Sequence, residues 1–99
     1  MYYVYVLRCS DNSLYTGITT DVVRRVNEHY YKKKQSAKYT KSHDVVAIEA
    51  VWEASDKPAA LRLERYIKSL SKADKEQLIK DNGELSDLKR LDIHISTCI

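Results

Sequence analysis

The segment YYVYVLRC, residues 2–9, constrains the fold most, because apolar and aromatic side chains cover both of its faces. Successive side chains of a β-strand point to opposite faces. The odd-numbered residues from Tyr3 to Cys9 therefore form one face, and the even-numbered residues from Tyr2 to Arg8 form the other. Tyrosine and β-branched residues also favour strands. The segment is predicted to be a central strand, with neighbouring elements packed on both faces.

Turn and capping signals after this strand predict a hairpin followed by a helix. Residues 10–13, SDNS, form a turn cluster, and LYTG at 14–17 is expected to return antiparallel beside the first strand. Thr20 or Asp21 can cap the helix that follows. Its buried stripe is predicted to be Val22, Val26 and Tyr30.

The middle of the chain predicts a polar loop and a third strand. Residues 34–44 are polar and have no apolar period, whereas VVAIEAVW at 45–52 alternates as a strand does. Glu49 is expected to point away from the core. The predicted core face consists of Val46, Ile48, Ala50 and Trp52.

Two more helices are predicted toward the C-terminus. Pro58 suits the first turn of a helix, where its missing N–H costs nothing. The buried stripe of that helix is predicted to be Leu63, Tyr66, Ile67 and Leu70. SKAD at 71–74 resembles a capping box for a last helix that ends near Gly83, and residues 85–99 could form a short helix and an extended tail. The fold class is therefore α/β of the α+β type, a small three-stranded antiparallel sheet flanked by helices in the order β-β-α-β-α-α.

Length and composition indicate one small globular domain. The chain has 99 residues, 43% of them hydrophobic and 31% charged, which suits a soluble folded protein. No apolar run approaches the roughly 18 to 20 residues of a membrane span, and the N-terminus does not resemble a signal peptide. We therefore expect a cytoplasmic protein. Cys9 and Cys98 form neither a disulfide framework nor a metal-binding pattern, so both are expected to be free thiols.

Positive charge is concentrated in residues 22–43, which contain seven Lys or Arg residues and one acid. Such a run can be a solvated helix face. Here it also contains Tyr30, Tyr31 and Tyr39, and cations interleaved with aromatic rings suit a nucleic acid. The expected nucleic-acid contacts are Arg24, Lys32, Lys33, Lys34, Lys38 and Lys41.

A few polar residues could form a reactive site, although each has an ordinary structural explanation. Arg25 and His29 are spaced i, i+4, which makes them neighbours on one helix face. Glu64 lies at the margin of an apolar stripe, where it can reach a cleft or simply pair with Lys68 on the surface. Tyrosines at strand positions such as 5 and 15 are often core aromatics with a hydrogen-bonded hydroxyl.

Taken together, these residues resemble the GIY-YIG nuclease domain. The resemblance consists of YVY at 3–5, YTG at 15–17, RR at 24–25, EH at 28–29 and the helical Glu64. It covers roughly residues 1–80 and leaves 81–99 as a C-terminal extension.

The resemblance implies specific site residues. The motif tyrosines are Tyr5 and Tyr15, the arginine is Arg25, its histidine partner is His29, and the metal-binding acid is Glu64; Gly17 completes the second motif. The chain departs from the family pattern in having Tyr3 where glycine is usual and Ile18 where excision-repair relatives have lysine. Gly17 is expected to leave room for backbone and substrate to approach, or else to be a plain turn glycine.

The implied function is a phosphodiester hydrolase, an endonuclease that depends on a single Mg²⁺ or Mn²⁺ ion held by Glu64. DNA is the expected substrate, RNA remains open, and cleavage in DNA repair or recombination is expected to follow DNA structure rather than sequence. Two alternatives remain: a noncatalytic nucleic-acid-binding module and a protein-interaction domain.

Overall fold

The structure is a computed structural model that describes residues 1–32 and 43–81 and the backbone of residues 89–91. Its elements in chain order are β1 (Tyr2–Cys9), β2 (Leu14–Thr19), α1 (Val22–Tyr30), β3 (Val45–Ala54), α2 (Lys57–Ser69), α3 (Lys72–Asp81) and β4 (Lys89–Leu91). The predicted order β-β-α-β-α-α is confirmed. A short fourth strand follows it.

The described strands form one antiparallel sheet in the order β2-β1-β3-β4. β1 is therefore an interior strand, as the two apolar faces of its sequence predict. Tyr5 of β1 lies opposite Gly17 of β2 on one side and Val51 of β3 on the other. β4 pairs with the C-terminal half of β3. It lies within residues 85–99, the segment expected to form a short helix and an extended tail.

The predicted core face of β3 is only partly correct. Ala50 and Trp52 are buried with α2, but Ile48 packs with the core on the opposite face, and Val46 is 44% exposed. The pairing with β1 shifts by one residue at Glu49 and again at Val46. Each β-bulge inserts a residue and reverses the alternation that follows it, so a strict period of two could not hold along β3.

The helices cover the sheet from opposite sides. Val22 and Val26 of α1 join the core cluster that contains Tyr5, while Leu63 and Ile67 of α2 join the cluster that contains Trp52. The two apolar faces of β1 thus have separate partners.

Two tyrosines predicted in the buried stripes lie at the surface instead. Tyr30 is 39% exposed because α1 ends at this residue, beyond the last turn that contacts the sheet. Tyr66 is 51% exposed because Ala59 and Ala60 complete the buried stripe of α2 and turn its far side to solvent. Leu70 is partly buried at the end of that helix.

Side-chain caps start all three described helices where the sequence predicts. Asp21, rather than Thr20, caps α1 by accepting a hydrogen bond from the backbone N–H of Arg24 at 3.1 Å. Asp56 caps α2, which has Pro58 in its first turn. The Oγ of Ser71 accepts from the N–H of Asp74 at 3.1 Å, while Gly83 lies outside the described residues.

A partly buried ion pair connects α3 to the sheet. The guanidinium of Arg8 donates to both carboxylate oxygens of Glu76, at 2.5 and 2.6 Å, and also reaches Glu49 at 3.5 Å. Arg–carboxylate pairs of this forked kind are stronger and more directional than single contacts. The face of β1 formed by the even-numbered residues therefore ends in Arg8, whose ion pair with Glu76 connects the strand to α3.

None of the helices in the described ranges has the length and apolar character that a membrane crossing requires. Cys9 is a buried free thiol, as predicted, and Cys98 lies outside the described residues.

Candidate active site

Three aromatic side chains from three different elements meet at one place. Tyr5 comes from β1, Tyr15 from β2 and His29 from α1. The ring centroids of Tyr5 and His29 are 5.8 Å apart, those of Tyr15 and His29 are 5.3 Å apart, and those of the two tyrosines are 6.3 Å apart. Residues separated by up to 24 positions in the chain thus form one compact cluster.

A hydrogen bond joins Tyr5 to His29 inside this cluster. The Oη of Tyr5 lies 2.8 Å from Nε2 of His29, and both side chains are buried. Burial and the nearby Tyr15 raise the pKa of Tyr5, while burial and the charge of Arg25 lower the pKa of His29 to about 4. Both groups are therefore neutral near pH 7, and the imidazole tautomer decides which of them donates.

Gly17 makes room for the phenol of Tyr5. A Cβ atom at this position would lie 2.5 Å from Oη and 2.7 Å from Cζ of Tyr5, and 3.2 Å from Cε2 of Tyr15. Gly17 lies within β2 and has no positive φ, so it is not a turn glycine. The hydroxyl end of Tyr5 fills the space that a side chain at position 17 would occupy. The expected approach of a substrate phosphate remains a prediction.

Arg25 is held by a neighbour that the sequence reasoning missed. Its Nη1 donates to Oε1 of Glu28 at 2.9 Å, and Arg24 contacts the other oxygen of the same carboxylate at 3.3 Å. The Arg25 hydrogen bond lowers the pKa of Glu28, which is largely buried. The i, i+3 spacing of Arg25 and Glu28 was the sequence signal that could have predicted this pair. Arg25 also acts on Tyr5, whose pKa its charge and hydrogen bond lower against the larger effect of burial.

Glu64 lies on α2, the helix on the other face of the sheet from α1. Its negative charge contributes to raising the pKa of Tyr5, which places the carboxylate within electrostatic range of the phenol. Its side chain also accepts a hydrogen bond from Nζ of Lys68 at 3.2 Å, the surface pair that the spacing predicts. The surface pair with Lys68 is therefore present, and the role of Glu64 as a metal-binding residue stays a prediction.

The donor set suits a hard cation that retains most of its water. The described residues contain no group of three or more His, Cys, Asp or Glu side chains that could enclose a metal ion. Mg²⁺ does not need such a cage, because it binds through one or two carboxylates, water and substrate phosphates. Glu64 is an oxygen ligand of this kind, and its charge acts on Tyr5, so the residues fit a single hydrated divalent ion.

The structure describes only part of the expected nucleic-acid surface. Arg24 is largely exposed and pairs with Asp21 and Glu28 on α1. Lys32 lies just after that helix and pairs with Asp44 at 2.6 Å. The remaining predicted contacts lie outside the described residues: Lys33, Lys34, Lys38 and Lys41.

Comparison with known proteins agrees with this geometry. The family described as the GIY-YIG catalytic domain matches residues 1–77, a range that contains every residue of the cluster. The chain belongs to the GIY-YIG family. This is a nuclease family, and the predicted resemblance is confirmed.

Small GIY-YIG proteins are similar over nearly their whole length. The UPF0213 protein FN1575 of Fusobacterium nucleatum is 43% identical over 91 residues, covering 91% of this chain and 89% of the relative. A UPF0213 protein of Natronomonas pharaonis is 48% identical over 80 residues, covering 81% of this chain and 92% of the relative.

A solved structure shares the fold. The solution NMR structure of the UPF0213 protein BH0048 from Bacillus halodurans matches with a TM-score of 0.50 and 44% identity, covering 84% of this chain and 87% of that one. The GIY-YIG fold predicted from the sequence is therefore shared by a solved relative.

Proposed function

We propose that this GIY-YIG protein is a metal-dependent endonuclease that hydrolyses phosphodiester bonds in DNA. The observation that carries the proposal is the meeting of Tyr5, Tyr15 and His29 beside Arg25, with the charge of Glu64 acting on the same phenol. Phosphodiester hydrolysis needs an aligned nucleophile, charge stabilisation at the phosphoryl group and stabilisation of the leaving oxygen. The cluster supplies groups for each of these tasks.

Arg25 is proposed to bind a nonbridging oxygen of the scissile phosphate. Its guanidinium is half-buried and has one nitrogen fixed on Glu28, which limits the positions it can adopt. A fixed cation stabilises developing charge without first reorganising. Glu28 is therefore proposed as a positioning residue that acts through Arg25.

Tyr15 is proposed as the general base that activates a water molecule, with Tyr5 and His29 in support. Tyr5 is fully buried, its pKa is raised, and its hydroxyl is bonded to His29, so it holds its proton tightly. Tyr15 is only partly buried and lies on the edge strand β2, where a substrate can approach. The rings of Tyr5 and His29 pack near that of Tyr15, at centroid distances of 6.3 and 5.3 Å, and limit the positions it can adopt.

Glu64 is proposed to hold the single Mg²⁺ or Mn²⁺ ion. When bound, the ion supplies charge neutralisation and Lewis-acid polarisation at the phosphate. Lys68 must release the Glu64 carboxylate for this to happen, and its ammonium then becomes available to a neighbouring phosphate. Exposed i, i+4 pairs contribute only about 0.3–0.5 kcal/mol, so the exchange costs little.

DNA is proposed to bind along the basic surface that begins with Arg24 and Lys32 on and after α1. Cations that contact phosphates give affinity and orientation but do not read sequence. We therefore propose that DNA shape rather than base sequence selects the cleavage site, as repair and recombination intermediates would require.

The proposal is tested by incubating the purified protein with end-labelled flap, branched, single-stranded and duplex DNA, and with matched RNA, in Mg²⁺, Mn²⁺ or EDTA. We expect cleavage of branched or flap DNA that requires the metal. Salt-sensitive binding without cleavage would favour the noncatalytic binding module. Neither binding nor cleavage would favour the protein-interaction domain.

A further inference from the structure

A surface cleft separates the C-terminal end of α1 from the start of β3. It has a volume of about 460 Å³ and is lined by Ser10, Tyr30, Asp44, Val45 and Val46. The cleft contains none of the proposed catalytic residues. It is nevertheless joined to them, because Tyr30 directly follows His29 on α1.

Two of the apolar residues that line the cleft are accessible. Tyr30 is 39% exposed and Val46 is 44% exposed, although both were predicted to be in the core. The ring of Tyr31 meets that of Tyr30 edge-on, with centroids 4.9 Å apart and planes at 87°. This contact braces the Tyr30 ring from one side. A ring that is supported in this way is a suitable platform for stacking a planar group.

The polar groups at the cleft favour a nucleobase over a phosphate. The carboxylate of Asp44 is exposed and lines the cleft as a hydrogen-bond acceptor, which suits the amino group of a base and not a phosphate oxygen. Lys32 pairs with Asp44 at 2.6 Å, and its ammonium has three donors, so it can hold this pair and a phosphate together. The cleft therefore has an aromatic wall, an acceptor for a base edge and a cation for the backbone.

We propose that this cleft binds one unpaired nucleobase of the nucleic-acid substrate, which stacks on Tyr30 while the adjoining phosphate lies near Lys32. The inference rests on the proposed function, because it requires the chain to bind nucleic acid. Net positive charge in residues 22–43, which include both Tyr30 and Lys32, complements a polyanion and favours this occupant over an apolar protein segment.

The position of the cleft gives it a role in substrate choice. His29 faces inward to Tyr5, whereas Tyr30 faces outward to the cleft, so one helix end connects the reacting phosphate to the unpaired base. A base inside an intact duplex cannot enter the cleft without unstacking. The cleft thus provides a physical reason for a preference for flaps, branches and single strands.

The experiment measures stacking directly in a protein that does not cleave. In the Glu64→Gln background, 2-aminopurine is placed at successive positions of a single-stranded overhang, and its fluorescence and the binding affinity are recorded. Tyr30→Ala and Tyr30→Phe are compared with Tyr66→Ala, which removes a similarly exposed tyrosine from α2 on the other side of the sheet. Circular dichroism checks that each variant is folded.

We expect one overhang position to be quenched on binding. Tyr30→Ala should abolish that quenching and weaken binding to the overhang about tenfold, as for loss of a stacked base. Tyr30→Phe should retain both signals, because it keeps the ring, and Tyr66→Ala should match the parent.

Failure of this inference can be distinguished from failure of the proposed function. If Tyr30→Ala binds and quenches like Tyr66→Ala, the cleft does not hold a base, whatever the wild-type protein cleaves. If quenching depends on Tyr30 but the wild-type protein cleaves no substrate, the base site stands and the nuclease proposal is overturned.

Discussion

The hydroxyl of Tyr5 lies 2.8 Å from Nε2 of His29, and neither side chain has appreciable contact with solvent. This bond links the central strand of the sheet to the helix that carries Arg25. Loss of a buried hydrogen bond costs more free energy than its formation contributes, because the separated polar groups stay shielded from water. The bond therefore fixes the geometry of the site before any substrate binds.

His29 is expected to stay neutral down to unusually low pH. Its pKa is lowered from 6.5 to about 4, first by burial and then by the charge of Arg25. Since the unfolded chain takes up the proton first, the contribution of His29 to stability is complete above pH 6.5 and is lost between 6.5 and 4. Nitrogen chemical shifts of the imidazole should titrate near pH 4. A midpoint near 6.5 would show that the ring is not buried as described.

Gly17→Ala is expected to destabilise the protein through Tyr5. The added Cβ would lie 2.5 and 2.7 Å from the Oη and Cζ atoms of Tyr5, so the ring must move. Overpacking of this kind costs about 1–3 kcal/mol. Thermal melts should show a smaller effect of Gly17→Ala in a Tyr5→Leu background, which lacks both atoms. Equal losses in the two backgrounds would mean that the glycine serves another purpose.

The order of the elements was predictable because the signals for it are local. Asp21, Pro58 and Ser71 mark helix starts through their own chemistry, and the two faces of β1 require an interior strand. The face of β3 was not predictable in the same way. The bulges at Val46 and Glu49 arise from pairing with β1, which a single strand sequence does not encode.

The structure brings together three of the residues that the resemblance names, while their catalytic roles stay predictions. Tyr5, Tyr15 and His29 meet as the resemblance implies, but the role of Gly17 depends on the ring that fills its place. Glu28 was missed because a glutamate near two arginines usually indicates a surface pair, and only its burial shows that it positions Arg25.

Arg25→Ala should reduce kcat by about 10²–10³, as for loss of other groups that stabilise transition-state charge. Arg25→Lys should restore little, because lysine lacks the planar fork. Glu28→Gln should cause a smaller loss, since it removes the charge that holds Arg25 and leaves the guanidinium itself. Single-turnover cleavage at saturating DNA measures all three. A folded Arg25→Ala protein with wild-type kcat would reject the assignment.

Glu76→Gln is expected to lower the free energy of unfolding and to make it less dependent on pH in acid. The hydrogen bond from Arg8, and then that from Lys72, lowers the pKa of Glu76 from 4.5 to about 2. The pair therefore stabilises the fold above pH 4.5 and loses its effect as pH falls toward 2. At pH 7 a loss of about 1 kcal/mol would lower Tm by about 4–8 °C. Lys72→Gln, in the more exposed pair, is the matched control and should change Tm much less.

The same thermal melts, repeated from pH 5 to pH 2, distinguish the effect of the Arg8–Glu76 pair from acid unfolding caused by other groups. Wild-type protein should lose stability more steeply in that window than Glu76→Gln. Parallel curves for the two proteins would show that the Arg8 pair does not stabilise α3.

Single-turnover cleavage of branched DNA by wild-type and Glu64→Gln protein, with Mg²⁺ and with EDTA, tests the central claim most directly. Glutamine keeps the shape and helix propensity of glutamate but removes the charge that a hard divalent ion requires. We expect wild-type protein to cleave only with Mg²⁺, and Glu64→Gln to bind the same DNA with little change in affinity and not to cleave it. Normal cleavage by Glu64→Gln in Mg²⁺, or wild-type cleavage in EDTA, would contradict the proposed metal-dependent mechanism.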